Sequence, residues 1–335
     1  MTAKSATTAK TATPRKTATP RKTATPAKTG TGKYERLLER CKSLEPIPTA
    51  VAYPCEETAL AGAVEAGEKG LSRPILVGPL AQIKQLAKKA GINLAHVELV
   101  EAPNPHAAAT KAVELVRQGK AELLMKGSLH TDELLAAVVA RETGLRTGRR
   151  LSHVFIMDVP TYHKVLVVTD AAINIAPNLE DKVDICQNAI DLAISLGVEK
   201  PKVAILAAVE TVNSKMPATL DAAALCKMAE RGQITGALLD GPLAFDNAIS
   251  KQAAKTKGIH SEVAGDPDIL LAPDLEAGNI LAKQLSFLAN ADSAGLVLGA
   301  RVPIILTSRS DSVRSRIASV AVATLAAHAR RRAPR

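Results

Sequence analysis

Short, continuously apolar segments that alternate with stretches of helical length constrain this fold more than any other feature of the sequence. From Tyr34 onward the apolar segments cover residues 74–77, 123–125, 154–157, 165–168, 203–209, 237–239, 269–272, 296–298 and 304–306. Ala-, Leu- and Lys-rich stretches at 79–90, 106–119, 180–196, 216–231 and 276–289 lie between them. Strands that are apolar throughout are buried on both faces, so the pattern predicts an α/β fold with a mostly parallel sheet.

The length of the alternating region predicts two α/β/α domains, because about 300 ordered residues exceed one comfortable core. Residues 143–150 contain two glycines and a charge cluster and are predicted to cross between the domains, and the chain is predicted to return near residue 300. The predicted division is a discontinuous domain I at 34–148 plus 301–330 and a domain II at 149–300. Ligands of such folds favour clefts beyond strand carboxyl ends or between domains.

The formal net charge of +10 belongs to the two ends of the 335-residue chain. Residues 1–33 hold eight lysines and arginines and no acid, and residues 330–335 hold four arginines, so the body between them carries about −2. The charge therefore does not indicate a nucleic-acid-binding domain. A basic tail at 331–335 completes the predicted organisation.

Residues 1–33 repeat the string Lys-Thr-Ala-Thr-Pro-Arg with a period of six and predict a disordered tail. Two interpretations of the tail stay open. Regularly spaced cations can hold DNA or another polyanion through counterion release, or the segment is a solubilising spacer. The sequence shows no signal peptide and no apolar run that could span a membrane, which predicts a cytoplasmic protein.

Cysteine and histidine spacing argues against disulfides and metal sites. The four cysteines at 41, 55, 186 and 226 are scattered without a Cys-x-x-Cys pair, and the seven histidines form no His-x-x-x-His pair. His153 stands beside the predicted strand residues Val154 and Phe155 and is interpreted as a core or hydrogen-bonding residue. We therefore expect reduced thiols and no metal.

Several predicted strands end in small and polar residues. Lys126, Ser128 and Thr131 follow the segment at 123–125, and residues 169–174 follow the one at 165–168. The segment at 269–272 leads to Asn279 and Lys283, and residues 240–242 form a further Asp-Gly-Pro cluster. Each cluster alone is explained by helix caps or turns. Together they predict one rim of strand ends, the usual position of an α/β active site.

The segment at 302–311 carries the strongest functional signal. A short apolar strand is followed by Ser308, Arg309 and Asp311, and apolar residues at helical spacing then predict a helix over 312–330. Free N–H groups at a helix N-terminus attract anions. A hydroxyl, a guanidinium and a carboxylate at this point suit a phosphorylated substrate and a proton transfer.

These polar strings resemble the phosphate acetyltransferase/phosphate butyryltransferase family. The matching strings are Met-Lys-Gly-Ser-Leu-His-Thr (125–131), Gly-Leu-Arg-Thr-Gly (144–148), Leu-Ser-His-Val (151–154), Val-Thr-Asp-Ala-Ala-Ile-Asn (168–174), Leu-Asp-Gly-Pro-Leu-Ala-Phe-Asp (239–246), Pro-Asp-Leu-Glu-Ala-Gly-Asn (273–279) and Leu-Thr-Ser-Arg-Ser-Asp-Ser (306–312). They follow the family's order over residues 34–330. The resemblance leans toward the butyryl-like branch and the transferase unit of enoyl-CoA hydratase/phosphate acetyltransferase fusions.

The resemblance implies acyl transfer between coenzyme A and inorganic phosphate in a cleft between two domains of a homodimer. The implied build is that of isocitrate and isopropylmalate dehydrogenases. Neither a metal, a resident cofactor nor an acyl-enzyme is implied, because a base deprotonates the CoA thiol and the thiolate attacks the acyl phosphate. Coenzyme A and phosphate are then substrates.

The resemblance also implies roles for individual residues. Ser308 would hydrogen-bond the reacting carbonyl or phosphate, Arg309 would neutralise phosphate charge, and Ser128 and Thr131 would line the phosphate pocket. Arg146 is a candidate for a bidentate phosphate contact. Acetyl-specific members carry the carboxylate thought to be the base near the positions of Ser315 and Arg316, so the base is open here and Asp311 is predicted by proximity.

Two other functions remain alternatives. The first is a polyanion-binding interaction protein whose transferase body is catalytically degenerate. The second is a dehydrogenase of similar two-domain build with aspartates on a divalent metal, although the chain has no Gly-x-Gly-x-x-Gly fingerprint.

Overall fold

The computed structural model describes Thr2, residues 32–308 and residues 311–332. Residue 1, residues 3–31, Arg309, Ser310 and the last three residues lie outside the described part. Most of the predicted repeat tail is therefore not described. The eleven strands within the described part are β1 Ile47–Ala52, β2 Ser72–Gly78, β3 Glu98–Glu101, β4 Leu123–Lys126, β5 Ser152–Asp158, β6 Leu166–Thr169, β7 Lys202–Leu206, β8 Leu238–Leu243, β9 Ile269–Leu271, β10 Asp292–Leu298 and β11 Ile304–Ile305.

Eleven helices lie in the described part of the chain, and six of them correspond to the stretches predicted at 79–90, 106–119, 180–196, 216–231, 276–289 and 312–330. They are α1 Lys33–Cys41, α2 Glu57–Glu68, α3 Leu80–Ala90, α4 Pro105–Arg117, α5 Thr131–Val139, α6 Leu179–Ser195, α7 Pro217–Glu230, α8 Phe245–Ile249, α9 Lys251–Thr256, α10 Leu275–Phe287 and α11 Val313–Arg332. Local chemistry sets several of their starts. Asn104 and Asp274 accept hydrogen bonds from Ala107 N and Ala277 N at 2.9 Å, which caps α4 and α10.

All eleven strands belong to one sheet, in the order β3-β2-β1-β4-β11-β10-β5-β6-β9-β7-β8. Seven of the ten described pairings are parallel, and the three antiparallel ones are β11–β10, β10–β5 and β5–β6. The predicted mostly parallel α/β sheet is thus confirmed. Strands β1–β4 and β11 form one half of the sheet and β5–β10 the other, while the division into two domains stays a prediction.

Aliphatic cores cover both faces of the sheet. On one face α1, α2, α3, α6, α7 and α11 pack around side chains such as Ile305 and Leu296. On the other face α4 and α5 pack over Ile304 and Leu306, and α8, α9 and α10 pack over Met157 and Leu270. Because side chains alternate along a strand, β11 contacts a different helix layer at each successive residue.

The antiparallel centre of the sheet corrects the prediction of a single rim of polar strand ends. Strands β4 and β11 run in one direction, and β6 and β9 run in the opposite direction. Their carboxyl ends therefore point to two different edges. A buried strand shows no polar alternation in either orientation, so the sequence pattern could not distinguish β5 and β10 from parallel strands.

Candidate active site

Ser308 lies just beyond β11, at the carboxyl end of the parallel half of the sheet. Its main-chain N–H donates a hydrogen bond to Oδ2 of Asp311 over 2.7 Å, and its carbonyl accepts one from Asp311 N over 3.2 Å. Ser308 is exposed and Asp311 is half-buried. The structure thus brings together two of the three residues predicted from the segment at 302–311; Arg309 is outside the described residues.

Asp311 has the environment of a proton acceptor. Burial raises the pKa of its carboxyl group above the ordinary value, while the Ser308 N–H bond and the charges of Arg316 and Lys126 oppose that rise. A carboxylate with a raised pKa binds a proton more readily than an exposed one. The group can therefore accept a proton beside the exposed residue Ser308.

Lys126 supplies positive charge from β4, the strand next to β11. Its side chain is buried, with 4% exposed, and its Nζ donates to the carbonyl of Leu129 over 3.0 Å and to that of Gly127 over 3.4 Å. The ammonium group is therefore held inside the β4–α5 loop and not on a mobile surface chain. Its field reaches Asp311, so Lys126, Ser308 and Asp311 form one electrostatic unit.

Ser128 holds the next part of the β4–α5 loop against the turn that follows β1. Its hydroxyl donates to Tyr53 O over 2.8 Å and accepts from Cys55 N over 3.0 Å. Gly127 must be glycine, since a Cβ there would lie 2.4 Å from the carbonyl oxygens of Ala52 and Tyr53. Thr131 is the first residue of α5, so its main chain belongs to the helix N-terminus that faces this edge.

Arg146, Asn279 and Lys283 are placed away from this unit. Arg146 is exposed and pairs with Ala300, which precedes β11. Asn279 and the exposed Lys283 lie on α10, after β9, and the Asn279 side chain donates to Ala171 O over 2.9 Å. Arg146 and Asn279 therefore lie at the edge opposite the carboxyl ends of β4 and β11, and Lys283 lies one turn further along α10.

Arg316 is the residue of this region whose position the sequence reasoning missed. It was noted only as a departure from the acetyl-type pattern, yet it is 1% exposed and donates to Thr307 Oγ1 over 2.6 Å and to Ser308 O over 3.0 Å. An arginine within the apolar pattern of the predicted helix at 312–330 was the available signal.

His153 on β5 is a core residue, as its sequence context predicted. It is fully buried, and within the described part of the chain neither ring nitrogen makes a hydrogen bond. Burial lowers its pKa to about 4, although the charge of Asp170 and the Leu306 carbonyl act in the other direction. The imidazole is therefore neutral at neutral pH.

No group of three or more His, Cys, Asp or Glu side chains among the described residues is arranged to hold a metal ion. In the same part of the chain, no helix has both the length and the apolar character needed to cross a membrane. At the Ser308 edge the described side chains supply a hydroxyl, a carboxylate and the buried cations Lys126 and Arg316.

Comparison with known proteins identifies the family. Residues 104–324 match the model described as "Phosphate acetyl/butaryl transferase". The chain belongs to this family. It is 63% identical to a protein named phosphate acetyltransferase from Rhizobium meliloti over 90% of this chain and 95% of that one. The resemblance carried by the strings at 125–131 and 306–312 is confirmed.

Solved structures of the family and beyond it share the fold. A branched-chain phosphotransacylase from Enterococcus faecalis V583 superposes with a TM-score of 0.74 at 31% identity and covers 84% of this chain and 99% of its own. A 4-hydroxythreonine-4-phosphate dehydrogenase from Burkholderia phymatum shares the fold alone, with a TM-score of 0.51 at 10% identity over 85% of this chain and 99% of its own. The dehydrogenase-like build of this phosphate acyltransferase is therefore confirmed.

Proposed function

We propose that this chain transfers a short-chain acyl group reversibly between coenzyme A and inorganic phosphate, with Ser308 and Asp311 at the reacting centre. The observation that carries the proposal is the Asp311 carboxylate held 2.7 Å from the main-chain nitrogen of the exposed residue Ser308, in a chain of the phosphate acyltransferase family. Membership of the family supports the reaction class, and the geometry supports the residues.

In the proposed reaction Asp311 takes the proton of the CoA thiol. The thiolate sulfur then attacks the carbonyl carbon of the acyl phosphate and forms a C–S bond. The bond between that carbon and the bridging oxygen breaks, and the leaving phosphate takes the proton that Asp311 had accepted. The Ser308 hydroxyl donates to the carbonyl oxygen as its negative charge develops, which lowers the barrier by several kcal/mol in sites of this kind. Run backward, the same steps make acyl phosphate from acyl-CoA.

Phosphate is proposed to bind between the β4–α5 loop and the Ser308 segment. The buried Lys126 ammonium and the N-terminus of α5 at Thr131 supply positive field there, and Ser128 keeps the loop in place. Arg309 is proposed to add a guanidinium. Arg146, Asn279 and Lys283 are left out of the proposed reacting centre.

The acyl chain is proposed to be acetyl up to butyryl. The relative at 63% identity is named an acetyltransferase, whereas the solved relative at 31% identity is named a branched-chain enzyme. Because the identity is higher to the acetyl-named protein, we expect acetyl-CoA to be used at least as well as butyryl-CoA.

The decisive experiment follows free thiol when purified protein meets phosphate and acetyl-, propionyl- or butyryl-CoA. Thiol release is expected with at least one of them, and kcat is expected to fall about 100-fold in Ser308→Ala, the size of effect found when one oxyanion donor is removed. Thr256→Ala is the control, because Thr256 lies on α9 in the other half of the sheet, away from the proposed site. Release from none of the three thioesters would reject the function, and an unchanged rate in Ser308→Ala would reject the assigned role.

We also propose that the active form is a homodimer joined through α10. Ile280 and Phe287 are seven residues apart on one helix face and are 57% and 75% exposed, and Leu288 beyond them is 81% exposed. Large apolar side chains that are adjacent and exposed mark contact surfaces. Sedimentation should show a dimer that Phe287→Lys weakens, while Val212→Lys, exposed on another segment, should leave it intact.

The tail and the compartment complete the proposal. We propose that the enzyme acts in the cytoplasm and that the cations of residues 1–33 make a weak, salt-sensitive contact with a polyanion. Binding of duplex DNA should fall steeply between 50 and 200 mM salt in the full chain, as expected for counterion release. Equal affinity after removal of residues 1–33 would take the tail out of the proposal.

A further inference from the structure

Arg316 sits beneath the proposed reacting centre as a buried charge in an otherwise apolar stretch of α11. Its neighbours Ile317 and Val320 are buried core residues, and Arg316 itself is only 1% exposed. The guanidinium donates through Nη1 to Thr307 Oγ1 at 2.6 Å and through Nη2 to Ser308 O at 3.0 Å. Both partners belong to the segment that presents the Ser308 hydroxyl.

The helix opposite has a gap that admits the arginine stem. Gly62 of α2 faces it, and a Cβ at position 62 would lie 2.9 Å from both Cβ and Cδ of Arg316. Contacts this short require one helix to move, because Cβ is fixed to the backbone. The stem of Arg316 is therefore confined between α2 and α11, and its guanidinium reaches Thr307 and Ser308 from a fixed direction.

The charges around this guanidinium are few. Asp311 and Glu56, which precede α11 and α2, both interact with it electrostatically, and Lys126 faces Asp311 from β4. Its Nε has no hydrogen-bond partner among the residues that the structure describes. A buried, incompletely hydrogen-bonded cation costs free energy that an apolar side chain of similar volume would not cost. A purely structural role therefore does not account for this residue type.

We infer that Arg316 is a positioning residue of the acyl transfer, which acts through two links to the reacting centre. Through Nη2 it fixes the Ser308 carbonyl and with it the peptide that carries the Ser308 hydroxyl. Through its charge it favours the ionised form of Asp311, the form that accepts the thiol proton. The inference rests on the proposed function, and it adds a residue that touches neither substrate.

Three variants separate the two links. Arg316→Gln removes the charge and shortens the donor, Arg316→Lys keeps the charge and loses the paired donors, and Thr307→Val removes the Nη1 partner alone. Arg314→Gln is the matched control, because Arg314 lies on the same turn of α11 but pairs with Glu35 and Asp292 on the outside. For each, kcat/KM is measured from pH 4 to pH 9, and the Asp311 carboxyl is titrated by carbon-13 NMR with Asp311→Asn as the assignment control.

In Arg316→Gln the acidic limb of the kcat/KM profile should shift to higher pH by about one unit, and the Asp311 carboxyl titration should shift with it. The reason is that a nearby positive charge lowers a carboxyl pKa by about that amount or more. In Arg316→Lys the acidic limb should lie at its wild-type pH, while kcat should remain at least tenfold below the wild-type value. Thr307→Val should lower kcat without moving the limb. Arg314→Gln should change neither.

An unshifted limb and an unshifted Asp311 titration in folded Arg316→Gln would overturn the electrostatic link. If Arg316→Gln does not fold, Thr307→Val decides, because a wild-type kcat there would overturn the positional link. The NMR titration does not depend on turnover. A shifted Asp311 in a protein that releases no thiol would therefore reject the proposed function and leave the Arg316–Asp311 coupling standing.

Discussion

The main-chain N–H of Ser308 and the Oδ2 atom of Asp311 are 2.7 Å apart, and this bond ties the candidate base to the residue that carries the candidate oxyanion donor. The bond joins the residue that follows β11 to the residues that precede α11. Any movement of Asp311 is therefore transmitted to the Ser308 peptide. The role of the Asp311 carboxylate can therefore be tested by measuring both the catalytic rate and the unfolding free energy of a variant.

Asp311→Asn should lose activity without losing stability. The amide cannot accept the thiol proton, so kcat is expected to fall about 100- to 10,000-fold, the usual contribution of a general base. Burial raises the pKa of Asp311 in the folded state, so folding favours the neutral carboxyl group. The stabilisation that the neutral group gives is present at low pH and is lost as pH rises through the folded pKa. A neutral amide therefore should not destabilise the protein at pH 7.

Thiol release and urea unfolding at pH 7 check both halves of this prediction. Ser312→Ala, in the same turn, controls for disturbance of the start of α11. A midpoint that falls with the activity would indicate that Asp311 is structural, and an active Asp311→Asn protein would exclude it as the base.

Gly127→Ala should destabilise the protein and impair catalysis together. The new Cβ would lie 2.4 Å from the carbonyl oxygens of Ala52 and Tyr53, and neither backbone group can rotate away. Overpacking of this kind costs about 1–3 kcal/mol of unfolding free energy, and the shifted loop carries Lys126 with it. Unfolding and phosphate KM are measured beside Gly148→Ala, where a Cβ meets nothing within 4 Å; equal stability of the two variants would contradict the prediction.

Much of the fold could be predicted from the sequence because the spacing of apolar residues along a segment indicates whether it forms a helix or a buried strand. The stretches at 79–90 and 180–196 correspond to α3 Leu80–Ala90 and α6 Leu179–Ser195. The direction of the strands could not be predicted in this way. The antiparallel orientation of β5 and β10 depends on which strands become neighbours, and an apolar run carries no information on that choice.

The site was predictable in part for the same reason. Ser308 and Asp311 are three residues apart at a strand-to-helix junction, so proximity in sequence ensures proximity in space. Arg146 pairs with Ala300, which precedes β11, whereas Ser308 follows β11, so the two residues lie at opposite ends of that strand. The Arg316 side chain reaches the Ser308 carbonyl because its stem packs against Gly62 of α2. No local sequence pattern indicates that packing.

Asp266→Asn should lower stability at neutral pH by about 1–3 kcal/mol, the cost of leaving partners of a charged hydrogen bond unpaired. Burial alone would raise the pKa of Asp266, but hydrogen bonds from Lys202 and Lys164 outweigh it and hold the pKa well below its ordinary value. The stabilisation is therefore present above the unfolded pKa and lost as pH falls through the folded one. Urea unfolding at pH 7 and pH 3 should show the difference between variant and wild type shrinking in acid; a constant difference would show that charge is not involved.

His153 should make the protein lose stability at a higher pH than the carboxylates do. Burial lowers its folded pKa to about 4 from an ordinary value of 6.5, so the unfolded chain binds a proton in this range that the folded chain excludes. Stability is then complete above pH 6.5 and falls as pH is lowered toward 4, by on the order of 3 kcal/mol in total. His153→Leu removes the titrating group from an apolar site and should flatten this part of the curve, while the exposed His96→Gln should not. Unfolding midpoints measured in steps from pH 7 to pH 4 test it, and parallel curves for His153→Leu and wild type would show that the imidazole takes up its proton without opening the core.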